Sequence, residues 1–185
     1  MDEYEKLING IKKYQSSSSL ETSFKTRFLT LLEDANAFER THLPGHITGS
    51  AFIVSEDLTQ TLLVHHAKLN RWLQPGGHAD GDRNVARVAM REANEETGLL
   101  HLKLVSDQIF DIDIHPIPVR KEFGAHDHYD IRYLVSGSDL EKIIVSEESH
   151  DVKWVAFSEL EKFTTESSVL RMRDKVTKQQ FIHSS

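Results

Sequence analysis

Residues 76–99 read GGHADGDRNVARVAMREANEETGL, and this glycine-rich loop followed by a helical pattern decides the fold. Near its end, Glu92, Glu95 and Glu96 stand at positions i, i+3 and i+4. At about 100° per residue they lie on one side of a helix, where like charges repel by roughly a few tenths of a kcal/mol per pair. A hard divalent cation with oxygen ligands would offset this repulsion. The spacing therefore predicts a metal site.

The apolar stripe of the same helix contains two of these glutamates. The stripe is formed by small and β-branched residues at helical spacing, namely Val85, Val88, Ala89 and Ala93. With Val85 at 0°, Glu92 falls at about 340° and Glu96 at about 20° on a helical wheel, inside the stripe. Inward carboxylates are costly unless they are paired or bind a metal. This favours a metal site over the alternative, a face of solvated or salt-bridged glutamates.

The loop and helix resemble the Nudix box, a motif written as Gly, five residues, Glu, seven residues, Arg-Glu-apolar-x-Glu-Glu-x-Gly-apolar. Gly77 matches the first glycine, and residues 91–99, REANEETGL, match the whole second half. The flanking stretches 72–77 (WLQPGG) and 152–155 (VKWV) also look like the family. The one departure is Arg83, where the pattern has glutamate. The chain thus resembles the Nudix hydrolases over the motif and its flanks.

This resemblance implies an α/β (α+β) fold, an α/β/α sandwich with a mixed β-sheet. It also implies a Mg²⁺-dependent pyrophosphohydrolase that cleaves a nucleoside diphosphate linked to another moiety, with Mn²⁺ as an alternative ion. The metal ligands that it implies are the box glutamates and a glycine carbonyl, namely Glu92, Glu95, Glu96, and Gly76 or Gly77. Glu95 and Glu96 are also expected to serve catalysis, and Arg91 is expected to orient the carboxylates.

Arg83 leaves two interpretations of this resemblance. In the family, the glutamate at this position helps to hold the motif arginine, here Arg91. An arginine at position 83 would meet Arg91 with like charge, and it cannot ligate a cation. Asp80 or Asp82 could supply the missing carboxylate after a small shift of the loop. The substitution is either tolerated, with activity retained at some cost, or it marks a weakened or lost hydrolase. We expect activity to survive because the ligand-supplying glutamates are intact.

The composition of the 185 residues is that of one globular domain with elaborations. No apolar run approaches the roughly 20 residues needed to span a bilayer. A net charge of −7 argues against nonspecific binding to nucleic acid or to a membrane surface. The chain has no cysteine, which excludes disulfides and thiolate catalysis. The acidic start, MDEYE, lacks a secretory pattern, so we expect a cytoplasmic protein.

Residues 1–40 are expected to form an N-terminal helical extension that precedes a Nudix domain at 41–185. Ser18–Glu21 has the spacing of a capping box and opens an amphipathic run. The extension could act as a lid, a dimer interface or a cover for a sheet edge, so a monomer or a homodimer is expected. In the domain, strands are predicted at 47–54, 60–66, 103–114, 128–135 and 152–156, and helices at 84–97, from 158, and at 165–181.

A carboxylate that activates water is expected in the polar stretch 145–150, VSEESH, which precedes a strand. In many proteins resembling this one, a loop in that region supplies the general base. A carboxylate can do so through a hydrogen bond to the attacking water. We assign this role to Glu148, while a solvated loop that carries Glu147 and Glu148 explains the stretch at least as well.

Alternation along the strand predicted at 128–135 places His126, His128, Asp130 and Arg132 on one face. A row of ionisable groups on one side of a strand indicates a wet functional surface. His126 and His128 could there contact a substrate phosphate or supply a second cation site. A surface strand whose charges face water explains the same pattern.

Two cations lie at the end of the second predicted strand, beside the glycine loop. Lys68 could reach a substrate phosphate as a point charge, and Arg71 could do so as a planar fork. Both would also offset the negative charge of a carboxylate site.

Two rival functions follow from the same residues. Isopentenyl diphosphate isomerase shares the family fold, but the typical enzyme uses a catalytic cysteine, and this chain has none. A non-catalytic ligand-binding module, in which Arg83 marks the loss of hydrolysis, is the stronger rival. In either case the expected partner is a small diphosphate compound. Nucleoside triphosphates, nucleotide sugars, ADP-ribose and dinucleoside polyphosphates remain open.

Overall fold

The computed structural model describes residues 1–119 and 124–183, with side chains described through residue 178. Its helices are α1 (Glu3–Lys13), α2 (Ser19–Leu31), α3 (Val85–Thr97) and α4 (Ser167–His183), with 3₁₀ turns at Ala35–Phe38 and Phe157–Lys162. Its strands are β1 (Gly45–Ser55), β2 (Gln60–His66), β3 (Arg71–Leu73), β4 (Gly76–His78), β5 (Lys103–Leu104), β6 (Asp111–Ile117), β7 (His126–Gly137) and β8 (Ser149–Ala156). Over the described residues, none of these helices combines the length and the hydropathy that crossing a bilayer requires.

The strands belong to one sheet in which β3, β2, β1, β7 and β5 follow one another. Outside this path, β4 pairs with β1, β6 with β7, and β8 with β2. Sheet and helices together confirm the predicted fold class. By its internal contacts the chain divides into two compact units, the first made of Met1–Ser50, Gly76–Glu92 and Ser106–Tyr133, and the second of Ala51–Pro75, Ala93–Val105 and Leu134–Ser185. The predicted division at residue 40 stays a prediction.

In the first unit, antiparallel pairing sets which residues share a face of the sheet. Thr48 of β1 lies opposite His78 of β4. His115 of β6 lies opposite His128 of β7 in the same way. Because side chains alternate along each strand, residues two positions away from these pairs point to the same side.

The N-terminal helices pack inside this first unit. Phe28 of α2 is fully buried and meets Tyr129 of β7 edge-on, with ring centroids 5.2 Å apart. Arg27 also pairs with Asp127 at 2.7 Å. Both Phe28 and Arg27 lie on α2, which therefore covers part of β7 in this unit.

The capping box predicted at the start of α2 forms only its first half. The Glu21 N–H donates to Ser18 Oγ at 3.5 Å, as expected. The Glu21 carboxylate does not complete the box, because it is buried and accepts a hydrogen bond from the Tyr14 hydroxyl at 2.7 Å. Leaving a buried carboxylate without a hydrogen bond costs more free energy than leaving the exposed helix end without its second capping bond.

In the second unit, β2 pairs antiparallel with β1, β3 and β8. The apolar residues of β2 form the centre of this unit, together with buried residues of β8, the second 3₁₀ turn and α4, namely Leu62, Leu63, Val64, Val155, Leu160 and Met172. The chain leaves α3 at Gly98, whose φ of 72° is the left-handed C-cap conformation expected of that glycine.

The single strand predicted at 103–114 is two strands, β5 and β6. Between them, the Gln108 N–H donates to Ser106 Oγ at 3.1 Å. A local bond of this kind offers the backbone an alternative to a strand ladder. The interruption therefore follows from turn chemistry that the apolar pattern did not show.

Candidate active site

Gly77 of β4 faces the carboxylate of Glu92 on α3. A Cβ added to Gly77 would lie 2.5 Å from Glu92 Oε2, well inside van der Waals contact. The neighbouring Gly76 is also constrained, because its Cβ would lie 2.9 Å from Ser50 Cα. The missing side chains therefore let the loop backbone approach both β1 and the helix carboxylate.

Arg91 connects α3 to the same loop. Its Nη2 donates to the His78 carbonyl at 3.1 Å and to Glu92 Oε1 at 2.6 Å. Hydrogen bonds between ionised groups are the strong and directional ones. This is the pair of contacts that an arginine orienting the Glu92 carboxylate would make.

The box glutamates differ in burial although α3 holds them on one side. Glu92 is half-buried, Glu95 is exposed and Glu96 has 8% of its surface exposed. Their donor atoms are all carboxylate oxygens, which hard cations such as Mg²⁺ prefer. The close approach of Glu92 to Gly77 also leaves the loop backbone near the Glu92 oxygens. The residues present thus fit a Mg²⁺ site.

Arg83 lies against the aromatic ring of Tyr4 in α1. Its guanidinium carbon is 5.3 Å from the centroid of the Tyr4 ring, a cation–π contact. Asp82 receives two hydrogen bonds from Arg87, at 2.8 and 2.7 Å. The structure thus shows Arg83 in contact with Tyr4, and the like-charge encounter with Arg91 stays a prediction.

Arg40, which follows the first 3₁₀ turn, supplies a cation to the glycine loop. Arg40 Nε donates to Asp80 Oδ1 at 2.5 Å, and the Gly81 N–H donates to the Phe38 carbonyl at 3.0 Å. The Arg40 guanidinium holds the pKa of Asp80 below its usual value, and the charge of Arg91 acts in the same direction. Sequence reasoning missed Arg40, because no local pattern connects it to a loop 40 residues away.

The ionisable row on β7 is buried at Asp130 and Arg132, each only 2% exposed. Asp130 accepts hydrogen bonds from the hydroxyls of Thr48 and Ser50, at 3.0 and 2.7 Å. The predicted wet surface and its alternative, a strand facing water, are therefore both wrong for these two residues. The reason is that neighbouring strands supply partners in the interior. Arg132 pairs with Asp111 at 3.2 Å and Asp113 at 3.4 Å on β6, and with Asp130 at 2.7 Å on its own strand.

His126 and His128 belong to a cluster of imidazole rings in the first unit. The ring centroid of His46 lies 4.8 Å from that of His126, 5.0 Å from that of His128 and 5.1 Å from that of His78. Burial lowers the pKa of His128 to about 2, and the neighbouring imidazoles add to the effect. Sequence reasoning missed His46 and His78, although strand alternation would have placed each on a definite face.

The remaining predicted residues lie in the second unit. The Glu148 carbonyl accepts a hydrogen bond from the Ala67 N–H at 2.9 Å, which brings the backbone of Glu148 beside Lys68. Both side chains are exposed. Arg71 is exposed as well, and its Nη1 pairs with Glu166 at 3.0 Å. The chain thus places Glu148 and Lys68 at the same end of β2.

Comparisons with known proteins identify the family of this chain. A family model described as the NUDIX domain matches residues 45–175. "Probable DHNTP pyrophosphohydrolase" of Lactococcus lactis subsp. cremoris (strain MG1363) is 29% identical over 135 residues, which is 71% of this chain and 78% of the relative. A C. elegans Ap4A hydrolase structure has a TM-score of 0.58 at 16% identity, covering 75% of this chain and 98% of the other. A NUDIX-family hydrolase from Clostridium perfringens has a TM-score of 0.55 at 24% identity, covering 72% and 97%. The two structures share the fold, and the match over most of the chain establishes that it belongs to the Nudix family.

Proposed function

We propose that this chain is a Mg²⁺-dependent pyrophosphohydrolase that cleaves a nucleoside diphosphate linked to another moiety. Membership of the Nudix family makes it a hydrolase acting on pyrophosphate bonds. The observation that carries the proposal is the Glu92 carboxylate, which lies against Gly77 and receives a hydrogen bond from Arg91. The same helix carries Glu95 and Glu96, the two further carboxylates that the family motif requires.

Glu92, Glu95 and Glu96, with the carbonyl of Gly76 or Gly77, would hold Mg²⁺, or Mn²⁺ in its place. When bound, the ion would neutralise charge on the phosphate oxygens and lower the pKa of a coordinated water. Arg91 keeps the Glu92 carboxylate turned towards the loop. The glycine loop leaves room for that carboxylate, since any side chain at position 77 would occupy its place.

Glu148 is the proposed general base. Its exposed carboxylate precedes β8, where water can reach it. Glu147 is its matched control, since it is adjacent, exposed and of the same charge. Glu148→Gln should lower kcat by about 10²-fold or more, whereas Glu147→Gln should leave it unchanged. Equal effects of the two substitutions would remove Glu148 from this role.

Lys68, Arg71, His126 and His128 are the proposed contacts of the substrate. Arg71 would exchange its ion pair with Glu166 for a phosphate, an exchange that costs little because a surface pair of this kind is worth about 0–1 kcal/mol. His128 would act as a neutral hydrogen-bond donor, because burial lowers its pKa to about 2. The name of the Lactococcus relative adds dihydroneopterin triphosphate (DHNTP) to the substrates worth testing.

The test is product release from a panel of diphosphate compounds, with and without Mg²⁺. The panel holds DHNTP, nucleoside triphosphates, a nucleotide sugar, ADP-ribose and a dinucleoside polyphosphate. We expect turnover of at least one compound that requires the ion and is abolished by Glu95→Gln together with Glu96→Gln. Glu56→Gln, in an exposed turn, is the control for loss of a carboxylate. Ligand binding without turnover across the whole panel would instead favour the non-catalytic binding module.

A further inference from the structure

Three histidines from three strands converge in the first unit. His46 lies on β1, His78 on β4 and His128 on β7. One ring nitrogen from each lies within 4.8 Å of the corresponding nitrogens of the other two. Strand register accounts for part of this convergence, since His78 lies opposite Thr48, which is two residues along β1 from His46 and so on the same face.

His46 is the most buried member of this histidine cluster, with 1% of its surface exposed. Within the described part of the chain, neither of its ring nitrogens makes a hydrogen bond of normal geometry. A buried polar group without such a bond is costly. Coordination of a metal ion by one of these nitrogens would remove much of that cost.

His46 is a neutral imidazole near pH 7. Burial lowers the pKa of His46 to about 4, and the charges of His78 and His126 act in the same direction, while the backbone of His42 and the charge of Asp80 oppose them. A neutral imidazole keeps the nitrogen lone pair that a metal requires.

Two further histidines, His126 and His115, lie against these three. The His126 ring stacks on that of His46, and the His115 ring meets that of His128 edge-on at 5.5 Å. His115 Nδ1 also lies 3.2 Å from Asp113 Oδ2. His115 and Asp113 thus place further hydrogen-bonding groups beside His128.

We propose that His46, His78 and His128 bind one divalent transition-metal ion of the Zn²⁺ class through three imidazole nitrogens. Imidazole ligands suit Zn²⁺ far better than Mg²⁺, which prefers oxygen. Three protein ligands leave a fourth tetrahedral position for an oxygen ligand. Zn–N bonds of about 2.0–2.1 Å place tetrahedral nitrogens about 3.3 Å apart. The three nitrogens, which lie within 4.8 Å of one another, would reach this separation through rotation of the imidazole rings. The three ligands of this site are different residues from those proposed to hold Mg²⁺, and the proposal does not rest on the hydrolase mechanism.

Zn²⁺ binding to the full chain tests the proposal, after chelator treatment and dialysis. We expect one Zn²⁺ per chain by calorimetry and metal analysis, and Co²⁺ in its place should give the intense visible absorption of tetrahedral nitrogen ligation. His46→Gln and His128→Gln should each weaken Zn²⁺ binding by more than about 100-fold, since even outer partners contribute up to that much. His101→Gln is the control, because that side chain is 82% exposed and pairs with Glu141.

The Glu95→Gln, Glu96→Gln protein separates this site from the one on α3. We expect it to retain the Zn²⁺ stoichiometry and the tetrahedral Co²⁺ spectrum. Loss of both in that protein, or full Zn²⁺ binding by folded His46→Gln and His128→Gln proteins, would overturn the proposal. If circular dichroism shows that the histidine variants are unfolded, the Co²⁺ spectrum of the unsubstituted chain becomes the test. A weak spectrum of the octahedral type in that chain would also overturn the proposal.

Discussion

Gly77→Ala tests whether the close approach of the loop to Glu92 matters for catalysis. The added methyl group would lie 2.5 Å from Glu92 Oε2 and 2.7 Å from Oε1, where ordinary contact begins at 3.4 Å. The carboxylate must therefore move by about 1 Å to admit it. Because this carboxylate is the end of a flexible side chain, the movement disturbs the site more than the fold.

The size of the effect follows from that displacement. A misplacement of about 1 Å in a positioned group costs roughly 10²-fold in rate, which is about 2.7 kcal/mol of barrier. We expect kcat of the Gly77→Ala protein to fall by this factor at saturating Mg²⁺ and substrate. Its melting temperature should change by no more than a few degrees.

Two other glycines provide controls for the same substitution. Gly76→Ala would bring a methyl group 2.9 Å from Ser50 Cα, a backbone atom that cannot swing away, so this protein should lose stability as well as activity. Gly124→Ala meets no heavy atom within 4 Å and should change neither. Steady-state kinetics and thermal unfolding of the three proteins are the measurements. A Gly77→Ala protein with unchanged kcat would refute the reasoning.

Three further substitutions probe contacts of the first unit. Arg83→Ala should leave kcat unchanged and lower the free energy of unfolding by about 0.5–1 kcal/mol through loss of the Tyr4 contact; a large change in kcat would show that Arg83 acts in the site. Arg132→Met should cost about 3–5 kcal/mol in urea unfolding, because it leaves buried carboxylates without their cation, and a neutral result would contradict this. Arg40→Ala should cost about 1 kcal/mol or less through its exposed pair with Asp80, and in about 1 M salt the loss should shrink, which salt-dependent melting would reveal.

The carboxylate helix could be predicted from the sequence because its geometry is local. Helical periodicity alone places Glu92 and Glu96 in the apolar stripe, and in the structure Glu96 is buried and Glu92 half-buried. The position of Gly98 after the last periodic residue likewise predicts the end of α3, which the left-handed conformation there confirms. The Nudix resemblance then supplies the fold, because the motif combines loop, helix and carboxylates in one continuous stretch.

Contacts between residues that are far apart in the sequence were decided only by the tertiary structure. Strand alternation placed Asp130 and Arg132 on one face of the strand. It could not distinguish a buried face from a solvent-exposed one, because burial depends on which strands lie alongside. The contact of Arg40 with Asp80 joins residues 40 positions apart. The histidine cluster draws on positions 46, 78 and 128, which meet only through the register of β1, β4 and β7. Spacing along one helix is set by the backbone itself, whereas contacts between strands exist only once the sheet has formed.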